Sequence, residues 1–204
     1  MKRLIIYDCD GVLFNSKEAV LAYYDFICEK FGLKKIDRNN EELVNKAMMN
    51  TNEEILSILT DSKGKLIEML EFAQNMNFKN FLNLMAMEDE LTETLQRLKE
   101  KNLHLAIFTN RGHSLFYLLK HFNIDKYFDY MVTSLDVENP KPHPEGLNKI
   151  FKYFNTKEEN ALYIGDSNTD YLAAKASNTP FLGYKKRFDG CSKIDRHLEI
   201  FNFI

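Results

Sequence analysis

The hydrophobic pattern at the start of the chain predicts one short, fully buried strand. The residues from Leu4 to Tyr7 are continuously apolar, and the run stops abruptly at Asp8. A strand that is covered on both faces has this pattern, whereas a half-exposed strand alternates between apolar and polar residues. We therefore predict a buried parallel strand over residues 2–7, followed at once by a polar loop.

The next segment, residues 15–86, has a helical pattern instead. It contains no proline, and its glycines are Gly32 and Gly64. Apolar residues recur three or four positions apart, as on the buried face of an amphipathic helix. This spacing is found at Ala19, Tyr23, Phe26 and Ile27, then at Leu43, Ala47 and Met48, and then at Ile55, Leu56 and Leu59. The spacing predicts about four helices in this segment.

From Glu88 onward the pattern alternates between helix and strand. The predicted elements are helices over 88–101, 114–122, 144–154 and 169–176, and strands over 103–108, 130–133, 161–164 and 180–182. Strands separated by helices of this length are typical of a doubly wound parallel sheet. The sequence therefore predicts an α/β fold with a Rossmann-like core, formed by residues 1–14 and 87–204 and interrupted by a helical insertion over residues 15–86.

Composition and charge narrow the functional classes. Of the 204 residues, 45% are hydrophobic and 28% are charged, which is typical of a globular protein and not of a disordered chain. The longest apolar run, from Ala19 to Tyr24, is far shorter than the roughly 20 residues of a membrane helix, so we expect no membrane partner. The formal net charge of -3 does not indicate a nucleic-acid partner.

The cysteines and the first residues bear on location. Cys9, Cys28 and Cys191 are odd in number and widely spaced, so they indicate neither a disulfide framework nor a zinc site. The apolar stretch near the start is too short for a signal peptide, and no small-residue cleavage site follows it. We therefore expect a reducing, cytoplasmic location.

Polar and charged residues gather at the ends of the predicted strands. In an open parallel sheet, ligands bind beyond the carboxyl ends of the strands, so these residues are candidates for a site. The candidates are Asp8, Asp10 and Gly11 after the first strand, Thr109 and Asn110 after the second, Lys141 in the proline-rich loop at 140–144, and Asp166 and Asp170 after the strand over 161–164. Carboxylates from separate strands can hold a hard divalent cation, and Mg²⁺ is the natural choice because it pairs carboxylates with phosphate.

The chemistry of these residues indicates a site for a phosphoryl group. Asp8 and Asp10 are two separate carboxylates close together in the chain, so one can attack while the other moves a proton or holds the metal. Thr109 offers a hydroxyl, and the backbone amides from Asn110 onward begin a helix that can hold an anion. Lys141 adds a positive charge that suits phosphate and offsets a crowded acidic site.

Taken in order, these segments resemble the four motifs of the haloacid dehalogenase superfamily. The segments are Asp8-Cys9-Asp10-Gly11-Val12-Leu13-Phe14, Phe108-Thr109-Asn110, Lys141-Pro142 and Gly165-Asp166-Ser167-Asn168-Thr169-Asp170. Each motif alone is weak, but all four occur in order, and each lies at a predicted strand end. The helical insertion is similar to the cap of the phosphoglycolate phosphatase and β-phosphoglucomutase branch. The resemblance implies a hydrolase core over residues 1–14 and 87–204 and a helical cap over residues 15–86.

The resemblance also implies catalytic and metal-binding roles. Asp8 would be the nucleophile that forms an aspartyl-phosphate. Asp10 would protonate the leaving alcohol and later activate water as a general base. The cofactor would be Mg²⁺, held by the Asp8 carboxylate, the Asp10 backbone carbonyl and Asp166.

The other motif residues would bind the phosphoryl group. Thr109 and Lys141 would contact its oxygens, together with backbone amides near Gly11 and Asn110, and Asp170 would orient Lys141. Fixed positive groups of this kind stabilise the charge that spreads over the phosphoryl oxygens in the transition state. The implied partner is a small phosphorylated metabolite.

Each site residue also has a plainer structural interpretation. Asp8 and Asp10 could open a calcium loop, although the apolar residues that follow lack the further acidic ligands of that motif. Asp166 and Asp170 could cap the helix that follows them. Lys141 could be a solvated loop residue. Arg111, next to the second motif, could contact substrate or the cap, or could do neither.

Three functions remain open at this point. The leading hypothesis is a Mg²⁺-dependent phosphatase that hydrolyses a small phosphorylated metabolite. A phosphomutase of the β-phosphoglucomutase type would use the same residues but return the phosphoryl group to a sugar. A regulatory module that binds phosphate without turnover is disfavoured because every expected catalytic group is present. A dehalogenase is disfavoured because similar enzymes of that type lack the acid found here at Asp10.

Overall fold

The computed structural model of the protein describes residues 3–76 and 78–204. The chain divides into two compact units, one formed by residues 1–15 and 87–204 and the other by residues 16–86. Lys2, which belongs to the first predicted strand, lies outside the described residues. No helix within the described ranges is long and apolar enough to span a membrane.

The helices and strands have the following bounds. The strands are β1 (Leu4–Tyr7), β2 (Phe14–Asn15), β3 (Ala86–Met87), β4 (His104–Phe108), β5 (Tyr130–Val132), β6 (Ala161–Gly165), β7 (Phe181–Tyr184) and β8 (Ser192–Ile194). The α-helices are α1 (Lys17–Lys30), α2 (Glu41–Met49), α3 (Asn52–Leu59), α4 (Lys63–Asn75), α5 (Leu91–Glu100), α6 (Ser114–His121), α7 (Glu145–Phe154) and α8 (Asn168–Ala176). Short 3₁₀ helices cover Phe78–Leu84, Asp125–Tyr127, Glu158–Asn160 and His197–Asn202.

Six strands form one parallel sheet in the order β5-β4-β1-β6-β7-β8. The chain builds outward from β1 on one side through β4 and β5, and on the other side through β6, β7 and β8. The strand order therefore reverses at β1, which is the position where open α/β sheets bind ligands. The predicted α/β fold with a doubly wound parallel sheet is confirmed.

The register of the sheet brings the polar strand ends to one edge. Tyr7 at the end of β1 is paired with Ile107 of β4 and Ile164 of β6. Because the strands are parallel, the loops that follow these residues leave the sheet at the same edge. Asp8 is the first residue of one such loop, and its backbone N–H donates to the Ile164 carbonyl oxygen at 2.9 Å.

The burial of apolar side chains explains why the central strands could be predicted from the hydrophobic pattern of the sequence. All four residues of β1 and all five residues of β6 are buried. Part of the core is aromatic: Tyr163 of β6 lies against Phe108 and Phe181, with ring centroids 6.0 Å and 5.7 Å apart. Strands with both faces covered bury more apolar surface than edge strands do, so their sequence is a continuous apolar run.

For this unit, one predicted helix start was wrong and one strand was missed. Helix α5 begins at Leu91 and not at Glu88, because Glu90 takes a left-handed conformation with φ of 62° and so cannot belong to the helix. The strand β8 was not predicted at all. Its three residues, Ser192–Ile194, have one buried side chain at the end, so the apolar signal is too weak to indicate a strand.

The second unit contains helices α1 to α4, the number predicted for this segment. Helices α2, α3 and α4 start at capping side chains that satisfy backbone N–H groups at the helix ends. Thr51 and Glu54 form a reciprocal capping box at α3, and Asn40 and Ser62 accept from the first turns of α2 and α4. The fully buried side chains of this unit include Leu21, Ile27, Ile55, Leu56 and Met69.

Candidate active site

Asp8 and Lys141 form a buried ion pair at the carboxyl edge of the sheet. The Lys141 Nζ atom lies 2.7 Å from Asp8 Oδ1, and both side chains are buried. Burial raises the pKa of Asp8 to about 7, and repulsion from Asp170 adds to the rise, while Lys141 opposes it. Lys141 is therefore not a solvated loop residue, as the plainer interpretation had it.

The Lys141 ammonium group is enclosed by acceptors. Besides Asp8, it donates to Asp170 Oδ1 at 2.6 Å and lies 3.3 Å from the Phe108 carbonyl oxygen and 3.4 Å from the Tyr163 hydroxyl. Burial alone would lower the pKa of Lys141, but the carboxylates of Asp170 and Asp8 outweigh it and raise that pKa. The lysine is therefore held as a fixed positive charge beside Asp8.

Asp170 both orients Lys141 and caps helix α8. Its Oδ1 accepts from Lys141 and from the Tyr163 hydroxyl, which lies at 2.6 Å. Its Oδ2 accepts from the backbone N–H of Ser167 at 3.1 Å and from the Ser167 hydroxyl at 2.5 Å, as half of a reciprocal capping box. Orienting Lys141 and capping the helix are alternative interpretations of Asp170 from the sequence, and in the structure the same carboxylate does both. Gly165 permits this approach, since a Cβ there would lie 2.5 Å from the Asp170 Cβ.

Asp166 lies against the first motif loop. A Cβ on Gly11 would lie 2.2 Å from Asp166 Oδ2, and Gly11 has a left-handed φ of 82°, so both the conformation and the close approach require glycine. Oxygen atoms of Asp8, Asp166 and Asp170 lie within 4.8 Å of one another. Burial, followed by repulsion from Asp8 and Asp170, raises the pKa of Asp166 well above its usual range.

Asp10 has a different set of contacts from Asp8. Its carboxylate accepts two hydrogen bonds from the Arg111 guanidinium, one from Nε to Oδ2 at 2.9 Å and one from Nη2 to Oδ1 at 2.5 Å. The prediction that Asp8 and Asp10 do different work therefore has a structural counterpart, because each carboxylate has its own cation. The sequence did not indicate which group Arg111 contacts, and in the structure its guanidinium contacts Asp10.

Thr109 and Asn110 organise the loop after β4. The Thr109 hydroxyl oxygen is buried and accepts from the backbone N–H of Arg111 at 3.0 Å. The Asn110 side chain pairs with the backbone of Lys141: its Oδ1 accepts from the Lys141 N–H at 2.9 Å, and its Nδ2 donates to the Lys141 carbonyl at 3.1 Å. Asn110 thus joins the second motif loop to the third through its side chain, which the sequence did not indicate.

Tyr163 is the clearest residue that sequence reasoning missed. Its hydroxyl contacts Asp170 Oδ1 and lies 3.3 Å from the Phe108 carbonyl oxygen, so it belongs to the group of atoms around Lys141. The sequence contained one indication of this role. Tyr163 stands within the apolar run Ala161–Ile164, and a tyrosine hydroxyl in a buried strand needs a hydrogen-bond partner.

The charges of the site fit a divalent cation. Four carboxyl groups, on Asp8, Asp10, Asp166 and Asp170, face the two cations Lys141 and Arg111, so full ionisation of the acids would leave two uncompensated negative charges in a largely buried place. None of the ion pairs among residues 3–76 and 78–204 involves Asp166. Both oxygens of Asp170 already accept hydrogen bonds, so Asp8 and Asp166 are the carboxylates best able to bind a metal.

Comparison of this sequence with known protein families finds a match that covers most of the chain. The family model described as haloacid dehalogenase-like hydrolase matches residues 5–184 of this chain, a range that includes every motif residue above. Pyrophosphatase PpaX from Bacillus cereus is 25% identical over 177 residues, which are 86% of this chain and 79% of that protein.

Solved structures agree with this match. A haloacid dehalogenase superfamily hydrolase of subfamily IA from Geobacter sulfurreducens has a TM-score of 0.86 and 34% identity, and the match covers 100% of both chains. A structure described as a predicted phosphoglycolate phosphatase from Haemophilus somnus also has a TM-score of 0.86, at 21% identity, and the match covers 98% of this chain and 97% of that one. At that lower identity the likeness concerns the fold alone.

Proposed function

We propose a phosphatase activity for this chain, which belongs to the haloacid dehalogenase-like hydrolase family. In this proposal the protein hydrolyses the phosphate ester of a small metabolite, depends on Mg²⁺ and passes through an aspartyl-phosphate. The observation that carries the proposal is the buried Lys141–Asp8 pair, with the Asp166 carboxylate close to Asp8. A fixed cation, a metal-binding carboxylate and a second carboxylate available to attack are what phosphoryl transfer requires.

The first half of the reaction is assigned to Asp8 and Asp10. An Asp8 carboxylate oxygen forms a bond to phosphorus while the bond between phosphorus and the leaving-group oxygen breaks. In this step Asp10 is in its protonated form and gives that proton to the leaving oxygen, so the product departs as a neutral alcohol. The proton is recovered from water in the second half of the reaction. Lys141, held 2.7 Å from Asp8, would bind a phosphoryl oxygen as negative charge builds up on it.

The second half uses the same two acids in new roles. Asp10, now ionised, takes a proton from water as the water oxygen bonds to phosphorus. The ester bond between phosphorus and Asp8 breaks, and the Asp8 carboxylate is restored. Thr109 assists in both halves: its hydroxyl oxygen already accepts from the Arg111 N–H, which leaves its own proton for a phosphoryl oxygen.

The residues present suit Mg²⁺ as the cofactor. The groups that would hold it are the carboxylates of Asp8 and Asp166 and the backbone carbonyl of Asp10. When bound, the ion supplies positive charge that offsets the crowded carboxylates and stabilises the phosphoryl oxygens. Asp170 is not assigned to the metal, because its oxygens already hold Lys141 and Ser167.

The proposed substrate class is a small phosphorylated anion. The relatives named above as pyrophosphatase and phosphoglycolate phosphatase would each act on such a compound. We assign the helical unit, residues 16–86, to the cap that selects the rest of the substrate.

Phosphate release from a panel of phosphorylated compounds, with Mg²⁺ and with chelator, tests the proposal. The panel includes pyrophosphate, 2-phosphoglycolate, a hexose 1-phosphate and an aryl phosphate. We expect Mg²⁺-dependent release for at least one compound, and complete loss of it in Asp8→Asn but not in the control Asp61→Asn, which changes an exposed carboxylate. Unchanged turnover in Asp8→Asn would remove Asp8 as the nucleophile. Conversion of hexose 1-phosphate to the 6-phosphate without free phosphate would favour the mutase.

A further inference from the structure

The Arg111 guanidinium clamps both oxygens of the Asp10 carboxylate. Nε donates to Oδ2 at 2.9 Å and Nη2 donates to Oδ1 at 2.5 Å, which is the two-point geometry of the strongest arginine–carboxylate pairs. Only 5% of the Arg111 side chain and 12% of the Asp10 side chain are exposed, so water competes little for this contact. The two residues are 101 positions apart, so the contact links the first and second motif loops.

The far side of the guanidinium is fixed as well. Nη1 donates to the Ser114 hydroxyl at 3.0 Å, at the first residue of helix α6. At the other end of the residue, the Arg111 backbone N–H donates to Thr109 Oγ1 at 3.0 Å. The direction of the guanidinium plane is therefore set by its own loop and helix, and Asp10 is oriented against an already rigid group.

We propose that Arg111 is a positioning residue that holds the Asp10 carboxylate in place for proton transfer. The proposal rests on the phosphatase activity described above. An Asp10 side chain in a short loop has several rotamers, and a proton transfer is efficient only within hydrogen-bond reach of the reacting oxygen. The two-point contact with Arg111 selects one of those rotamers before substrate binds. The Asp10 carboxylate therefore need not be oriented anew in each turnover.

The clamp leaves Asp10 able to carry the proton. A carboxylate has two oxygens with about four lone-pair directions between them, and Arg111 uses one direction on each oxygen. A protonated carboxyl group still has lone pairs on both oxygens, so the contact with Arg111 is compatible with the proton that goes to the leaving oxygen as its bond to phosphorus breaks. The carboxylate accepts a proton from water in the second half of the reaction.

The test compares two aryl phosphates that differ in how much they need an acid. Phenol is a poor leaving group, with a pKa like that of tyrosine at about 10, whereas 4-nitrophenol is far more acidic and leaves without much protonation. We expect Arg111→Gln to lower kcat/KM for phenyl phosphate at least about tenfold more than for 4-nitrophenyl phosphate, both measured with Mg²⁺. We expect the loss to appear in kcat more than in KM. Arg111→Lys, which keeps the charge without the fork, should recover only a small part of the loss.

Two further variants make the comparison decisive. Arg187→Gln removes an exposed arginine of the same unit and should leave both substrates unaffected. Ser114→Ala removes the far anchor of the guanidinium but not the arginine, and it should show the same preference for the nitrophenyl ester in weaker form. If Arg111→Gln does not fold, the Ser114→Ala result decides.

The outcomes separate this proposal from the one on which it rests. Equal losses on both esters in Arg111→Gln, or a rise in KM alone, would overturn the positioning role, since a phosphate-binding or purely structural arginine gives those results. Full activity in Arg111→Gln on both esters would overturn it too. If the unmodified protein hydrolyses neither these esters nor any compound of the panel, the phosphatase proposal itself fails.

Discussion

The Nε2 atom of His197 lies 2.9 Å from the carbonyl oxygen of Val12, a residue 185 positions earlier in the chain. The imidazole is fully buried and lies against the Tyr184 ring, with ring centroids 4.6 Å apart. Since Val12 belongs to the first motif loop, the contact fastens the end of the core unit to the loop that carries Asp8 and Asp10. A carbonyl accepts only from a protonated Nε2, so the neutral ring has its proton there.

Acid should weaken the fold through His197. Burial lowers the pKa of His197 to about 4, from 6.5 in the unfolded chain. Between these values the unfolded chain binds a proton that the native protein does not, so the free energy of unfolding falls as the pH drops. The contribution is fully present above pH 6.5 and is lost by about pH 4, which amounts to roughly 3 kcal/mol. Urea unfolding at several pH values measures it.

The variant His197→Gln isolates this effect from the other titrating groups. Glutamine keeps an N–H donor for Val12 but does not titrate. The difference in unfolding free energy between the unmodified protein and the variant should therefore shrink as the pH falls from 7 to 4. A constant difference over that range would mean that His197 is not the acid-sensitive group.

The hydroxyl groups of Tyr163 and Tyr7 should have opposite effects on stability. Both are fully buried, but Tyr163 donates to Asp170 at 2.6 Å, whereas the Tyr7 hydroxyl has no hydrogen-bond partner among the described residues. We expect Tyr163→Phe to lower the unfolding free energy by about 1.5–3 kcal/mol, the range for a hydrogen bond to a charged group. Tyr7→Phe should be neutral or stabilising. Denaturant unfolding of both variants checks this, and equal losses would contradict it.

Alanine at Gly11 should remove the metal response without unfolding the protein. Gly11 and Gly190 both have left-handed φ angles, of 82° and 71°, so alanine at either position costs about 1 kcal/mol. A Cβ at Gly190 meets nothing within 4 Å, but a Cβ at Gly11 displaces the Asp166 carboxylate. Without metal we expect Gly11→Ala to lower the unfolding free energy more than Gly190→Ala does, because only at Gly11 must a neighbouring side chain also move.

Thermal unfolding with added Mg²⁺ distinguishes these two glycines. The ion should raise the Tm of Gly190→Ala as it does that of the unmodified protein, because ligands stabilise the state that binds them. It should not raise the Tm of Gly11→Ala. A full Mg²⁺ shift in Gly11→Ala would show that Asp166 binds no metal at this position.

Removing the Asp166 charge should stabilise the metal-free protein. The pKa of Asp166 is raised by burial and by repulsion from Asp8 and Asp170, so its ionised form is unfavourable in the fold. At pH 7 we expect Asp166→Asn to have a higher Tm than the unmodified protein without metal, and no further rise on adding Mg²⁺. Asp189→Asn, an exposed change, serves as the control. A lower Tm for Asp166→Asn without metal would contradict the repulsion argument.

The central part of the fold was predictable because its strands are covered on both faces. The continuous apolar runs of β1, β4 and β6 are direct consequences of that burial, and they predicted the parallel sheet. The strand β8 was missed because it lies at the edge of the sheet, where side chains are less buried and the apolar signal disappears. The start of α5 was missed because a left-handed residue at Glu90 leaves no mark in a hydrophobic pattern.

The sequence by itself determined which acids stand at strand ends and in what order, because a parallel sheet brings the carboxyl ends of its strands to one edge. It could not determine how their charges pair. Only the tertiary structure decided that Lys141 lies between Asp8 and Asp170, and that Arg111 grips Asp10. Such pairings depend on ångström-scale distances between loops far apart in the chain, and each charged side chain could reach several partners until packing selected among them.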